Sequence, residues 1–296
     1  MADKSSRKGS AQNFGGPWTI MKVEMVVGYL KAFTTLLLNK PSSSRPFKRV
    51  YIDGFAGSGS FKFGAITTGF FKRDATEIAG SAQRALSVDP PFDALHFIEK
   101  RPACLKALRR MIAGDPRVTI HDGDANAAIR KLCGEIDWGR ARGVIFLDPF
   151  GASLEWETLK VIAATKALDV WYLFPLSSVY APHALEKLTP EKRASITKIL
   201  GTSEWEAEFY REPPKGHTGF FDIEERKVKR TVNVDAIEAF IDLRLKTVFS
   251  AVAKPRRLLG PRNVPLFSLF FAVSNPYRAA IDPALRIAAF LLGRKR

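Results

Sequence analysis

An α/β fold with a doubly wound, mostly parallel sheet is predicted by two observations. Short apolar segments rich in β-branched and aromatic residues alternate with amphipathic segments of about a dozen residues, the pattern of a parallel sheet covered on both faces. The first such segment runs straight into a glycine-rich loop, Gly54-Phe55-Ala56-Gly57-Ser58-Gly59. Right-handed crossovers wind a chain of this kind over both faces of its sheet.

Residues 1–13 are polar and basic and are expected to be a disordered tail. Ile20, Val23, Val27, Leu30, Phe33 and Leu37 recur at helical spacing, which predicts a helix over 19–39 with Thr19 as its N-cap. The run Pro41–Pro46 reads as the loop that ends it. Strands are predicted over 49–53, 94–99, 117–121, 143–148 and 169–175. The helices between them are predicted over 79–86, 102–113, 124–133 and 153–165, with an insertion at roughly 60–77. The core so far spans 14–175. Residues 176–234 break the rhythm with proline turns, a helical stretch at 190–210 and the charged run Glu224–Arg230, and read as an insertion or small subdomain. Residues 235–296 complete the core sheet through a helix over 235–252, a buried strand over 266–274 and a last helix over 282–293.

Composition narrows the function. Of 296 residues 46% are hydrophobic, enough for a sizeable core. The two cysteines, Cys104 and Cys133, exclude a disulfide framework and a four-cysteine zinc site, and the four histidines show no paired metal-ligand spacing. The N-terminus lacks the apolar segment of a secretory signal, and the longest apolar run, Val264–Val273, is too short to span a bilayer. The cytoplasm is the expected compartment, with no membrane partner. The 46 Lys and Arg exceed the 30 Asp and Glu by 16 charges, which raises the local concentration of polyanions. RNA or DNA is the expected partner, although a basic tail and a lysine-rich surface fit the same count.

In an open parallel sheet, ligands bind beyond the carboxyl ends of the strands. The first strand ends in Asp53, followed by Gly54, Gly57 and Gly59. No Gly-Lys-Ser/Thr follows, so this is not a P-loop, and Lys62 stands where the dinucleotide fingerprint needs its third glycine. The remaining use is a loop around the methionine part of S-adenosylmethionine, with the Asp53 carboxylate facing its ammonium group. Glu99 ends the second strand, where a carboxylate accepts both ribose hydroxyls. Asp124 follows the third, either to receive the adenine amine beside Ala125 or simply to cap a helix. The fourth ends Asp148-Pro149-Phe150-Gly151. The Asp148 carboxylate and the Pro149 carbonyl are acceptors and Phe150 is a stacking face, a set suited to a planar amine held for methyl transfer. The alternative is a buried turn with a capped Asp. An unpartnered carboxylate there would weaken folding.

The glycine run and Asp148-Pro149-Phe150 resemble motifs of the amino-methyltransferases that modify exocyclic amines of nucleic-acid bases. The chain as a whole resembles the three-Cys-motif partner protein (TcmP) family over roughly residues 14–210. The resemblance rests on Gly16-Pro17-Trp18-Thr19 with Lys22, the run from Tyr51 to Gly59, Gly80-Ser81-Ala82, and His96-Phe97-Ile98-Glu99-Lys100. It continues in Gly123-Asp124-Ala125-Asn126, Phe146–Gly151 and Trp171-Tyr172-Leu173-Phe174-Pro175. It implies a methyltransferase-type Rossmann-like fold with an N-terminal helix and an inserted helical segment, S-adenosylmethionine as cofactor, and a separate partner protein carrying a three-cysteine motif. It also puts Trp18 and Lys22 where many amino-methyltransferases have an N-terminal cofactor contact; a core tryptophan and a solvated lysine are the plainer reading. Asp53, Gly54, Phe55, Ala56, Gly57 and Gly59 would hold the methionine part, Glu99 the ribose, Asp124 and Ala125 the adenine. The amino-methyltransferase motif has a second proline before its aromatic residue; this chain lacks it. The non-catalytic alternative is a cofactor-binding scaffold or partner subunit.

Overall fold

The computed structural model describes residues 17–62, 67–68, 71–72, 77–180, 188–209 and 233–293. The predicted tail, the run Arg226–Arg230 and the basic end Arg294–Arg296 lie outside them. Seven strands form one sheet: β1 (Lys48–Asp53), β2 (Ala94–Glu99), β3 (Val118–Asp122), β4 (Ala141–Leu147), β5 (Leu168–Phe174), β6 (Ala251–Leu259) and β7 (Pro265–Val273). Their order is β3-β2-β1-β4-β5-β7-β6, and only β7 runs against the rest.

Strand alternation explains why both faces are covered. In β4, Val144 and Phe146 point into one apolar cluster and Ile145 and Leu147 into the other; in β5, Trp171 and Leu173 oppose Val170 and Tyr172. One face is packed by α1 (Pro17–Leu37), α2 (Ser81–Leu86), α3 (Pro102–Ile112) and, after β7, by α10 (Arg278–Gly293). The other face carries α4 (Ala125–Glu135), α5 (Trp156–Ala164), α6 (Leu176–Tyr180), α7 (Pro190–Leu200), α8 (Trp205–Phe209) and α9 (Val234–Lys246). Ile196, Leu200, Trp205 and Phe209 of the stretch after β5 are buried in the same cluster as α5 and α9.

Three expectations need correction. Helix α1 starts at Pro17, so Thr19 lies within its first turn and is not its N-cap; proline suits the first turn, where its missing N–H has no intrahelical partner. The helix predicted over 235–252 ends at Lys246, and β6 starts at Ala251. The apolar residues Val248, Phe249, Val252 and Ala253 fit either period over so short a run. Pro255 is accommodated because β6 is the sheet edge, with a register shift between Ala253 and Arg256, where a missing N–H breaks no ladder. Lastly, Pro41–Ser42 and Arg45–Pro46 pair as a small hairpin in place of a plain loop. A further pairing, Ser60–Lys62 with Glu77–Ala79, brackets the insertion after the glycine loop.

Candidate active site

The loops that follow β1, β2, β3 and β4 are neighbours at the carboxyl edge of the sheet, because those strands are adjacent. The crossover direction reverses between β1 and β4, and the cleft opens there. It is lined by Gly54, Phe55, Ile98 to Arg101, Gly123 to Ala125, Phe150 and Ser153, and is narrow, with a cavity volume of about 40 Å³.

The glycine loop is pinned by backbone bonds: Gly54 N–H to Phe146 O at 2.9 Å, Ala56 N–H to Ile98 O at 3.0 Å, and Gly80 N–H to Gly59 O at 2.8 Å. Gly57 and Gly59 have φ of +64° and +81°, a region side chains disfavour. At Gly59 a Cβ would also stand 2.4 Å from Met111 Sδ, whereas at Gly57 the nearest group is Arg101 Nη2 at 3.8 Å. At both positions the positive φ favours glycine; at Gly59 a side chain would also displace the flexible end of Met111, whereas at Gly57 the space is unfilled, and neither glycine lines the cleft.

Asp53 is fully buried and does not line the cleft. It accepts from the Phe55 N–H at 3.2 Å and from the Tyr51 hydroxyl at 3.4 Å. Burial pushes its carboxyl up to about 6, against hydrogen bonds from Ser81 and Phe55 that act in the opposite sense. Its contacts organise the loop from beneath.

Glu99 is buried at the tip of β2 and lines the cleft. Its Oε1 accepts from the N–H groups of Lys100 at 2.9 Å and Arg101 at 2.8 Å, and the Arg101 guanidinium forks onto both oxygens at 3.1 Å each. Burial would raise this carboxyl, but the Arg101 side chain and the backbone donors together hold it below the usual range. The guanidinium also lies over the Phe150 ring, 4.4 Å from its centroid, and that ring is 55% exposed. Asp124 does cap α4, accepting from the Ala127 N–H at 3.1 Å, and it lines the cleft as well, next to Ala125.

Asp148 was expected to stand unpartnered, and the structure corrects this: Lys22 of α1 donates to its carboxylate across 126 positions of sequence. The pair is part-buried, the side chains being 12% and 27% exposed. A lysine one turn inside the first helix reaches the end of the central strand because α1 lies along that face of the sheet. Trp18 packs against the apolar cluster under α1 and does not line the cleft. Pro149 is buried, and neither it nor Asp148 is among the residues that line the cleft.

Two further residues had no sequence-based role. Asn126 is buried; its Nδ2 donates to Ser153 O, and its Oδ1 accepts from Glu155 N–H and Thr158 Oγ1, all at 2.9 Å. It ties the loop after β3 to the loop after β4. Ser153 Oγ is buried without a partner among the described residues, on a residue that lines the cleft. A buried hydroxyl with no protein partner is costly, and at a cleft either a water or a ligand atom can satisfy it. The hint in the sequence was the stretch Asp148–Glu155, too long for a plain turn. Arg256 and Arg257 of the basic run Lys254–Arg257 are engaged internally: Arg256 donates to Leu292 O and Arg257 pairs with Asp235 and Glu238. Among the described residues no group of His, Cys, Asp and Glu is placed to hold a metal ion, and no helix is long and apolar enough to cross a membrane.

No family model matches the chain, and no curated protein does. Among solved structures, protein LPL1258 from Legionella pneumophila is similar at 13% identity and a TM-score of 0.50, over 95% of this chain and 92% of that one. Human methyltransferase-like protein 13, solved in complex with SAH, is similar at 12% identity and a TM-score of 0.43, over 93% of each chain. Spermidine synthase from Thermotoga maritima is similar at 14% identity and a TM-score of 0.40, over 87% of this chain and 60% of that one. At such identities a likeness speaks to the fold alone. With the strand order and the single reversed strand, the fold is a mostly parallel, seven-stranded, methyltransferase-type Rossmann-like fold.

Proposed function

We propose that this chain is an S-adenosylmethionine-dependent methyltransferase acting on an exocyclic amine of a nucleic-acid base or nucleotide. The observation that carries the reading is one cleft lined at once by the glycine loop, Glu99, Asp124 with Ala125, and Phe150. The residues fit the cofactor. Glu99 would offer two acceptor oxygens to a vicinal diol once the Arg101 fork is withdrawn, a Cβ at Gly57 would meet only Arg101 Nη2 within 4 Å, and Ser153 Oγ is an unmatched hydrogen-bonding group on the cleft lining.

When bound, S-adenosylmethionine supplies an electrophilic methyl group. The chain's own work is then positioning and proton acceptance. Phe150 gives the base a flat face; the Pro149 carbonyl and the Asp148 carboxylate accept from its amine. Asp148 takes the proton the amine loses, and Lys22 holds that carboxylate in place. The basic surplus draws the polyanionic acceptor. Incubation with labelled S-adenosylmethionine and pooled cellular RNA or DNA, with Asp148→Ala as control, tests the reading.

A specific observation favours a second reading. Glu99 and Asp148 are both neutralised by internal cations, Arg101 and Lys22. A scaffold that keeps the fold for a three-cysteine-motif partner, as in the TcmP family it resembles, would tolerate that. Turnover measured with and without such a partner separates the two.

A further inference from the structure

Arg101 touches three parts of the cleft at once. Its guanidinium forks onto Glu99, its plane covers Phe150, and its Nη2 is the group nearest the open side of Gly57. The two ends of the ion pair differ in access: the Arg101 side chain is 40% exposed and that of Glu99 is 4%. A ribose therefore reaches Glu99 only after the guanidinium has let go. Glu99 would stay in place through that change, since the N–H groups of Lys100 and Arg101 hold it independently. What draws a guanidinium off a carboxylate is another oxyanion that fits its fork, and phosphate does.

We propose that Arg101 is a bolt on the cofactor cleft which a phosphate-bearing ligand draws. The guanidinium exchanges Glu99 for a phosphate, and Glu99 is left to the ribose hydroxyls. This rests on the S-adenosylmethionine reading above. While the bolt is home, the apparent affinity for cofactor is reduced by the closed fraction. A phosphate on Arg101 raises it, and by reciprocity the bound cofactor raises affinity for the phosphate. Acceptor and cofactor then recruit one another.

Calorimetry tests this with the full chain and Arg101→Ala. S-adenosylhomocysteine is titrated alone, with a short single-stranded RNA, and with inorganic phosphate. Without added anion the variant should bind about tenfold tighter than the parent, which is the lifted closed-state penalty. RNA should tighten the parent by a similar factor and leave the variant unchanged. If inorganic phosphate matches RNA, a free phosphate draws the bolt; if only RNA acts, a phosphodiester chain does. Arg101→Lys keeps the charge without the fork or the stacking plane and should fall between parent and alanine variant. Both variants binding no tighter than the parent overturns the bolt and leaves the cofactor reading standing. An RNA effect that persists in Arg101→Ala overturns it too. No binding by any of the three proteins overturns the bolt and the cofactor reading together.

Discussion

Lys22 and Asp148 join the N-terminal helix to the tip of the central strand β4 through one part-buried ion pair. The pair reverses the sign expected for a lone carboxylate. Asp148→Ala leaves Lys22 at 12% exposure without its partner and should cost about 1–2 kcal/mol, a fall of a few degrees in Tm. Lys22→Met should cost a similar amount, and the double variant should recover part of the loss through a coupling of about 1 kcal/mol. Additive Tm losses would show that the two side chains do not support one another. S-adenosylhomocysteine affinity should stay within a few-fold in Asp148→Ala, while methyl transfer disappears.

The glycine loop separates packing from binding. Gly59→Ala combines a φ of +81° with a contact 2.4 Å from Met111 Sδ, so it should lower Tm more than Gly57→Ala, where space is open. Each strained φ costs about 1 kcal/mol or more. Gly57→Val should leave most of the stability and lose the thermal shift produced by S-adenosylhomocysteine. Equal Tm losses at both positions would contradict the assignment.

A pH effect belongs to the other side of the sheet edge. His96 Nδ1 and His121 Nε2 lie 3.1 Å apart on β2 and β3. Burial, with the neighbouring His121 and Lys48, pushes His96 down to about 4, and burial also lowers His121. The unfolded chain takes up the His96 proton near 6.5, so the native state loses stability as pH falls from about 6.5 towards 4. Asp53, raised to about 6 by burial, works in the opposite direction over pH 4–6. His96→Gln should therefore lose less Tm than the parent between pH 7 and pH 5, and Asp53→Asn should lose more. Parallel Tm-against-pH curves for parent and both variants would refute the assignment.

Nucleic-acid binding, if the surplus of 16 positive charges serves it, carries a salt signature. With about five phosphates contacted, affinity for RNA should fall at least tenfold between 50 and 200 mM salt. Charge reversal of residues 226–230 should flatten that slope. A salt-independent affinity would favour the scaffold reading.

The core was legible in the sequence because buried strands and their glycine loop carry local signals. β2 is predicted to the residue, and β1, β3, β4 and β5 within two residues at either end. What failed was decided at a distance. β6 is a strand because β7 offers it an edge, which no window around Pro255 reveals. The Lys22–Asp148 pair, the Arg101 fork over Phe150 and the Asn126 tie depend on which loops meet at the carboxyl edge. Arg101 left one trace: it follows Glu99 by two positions, within reach of its own strand-end acid.

The most direct test of the account is calorimetry of S-adenosylhomocysteine on the parent chain and on Glu99→Ala. Glu99 is the acceptor buried at the cleft, so its loss should remove binding while the melting curve of the free protein stays cooperative. Saturable binding by the parent and none by Glu99→Ala is the predicted result. No heat and no thermal shift in the parent at millimolar ligand, or equal affinity in the two proteins, would contradict it.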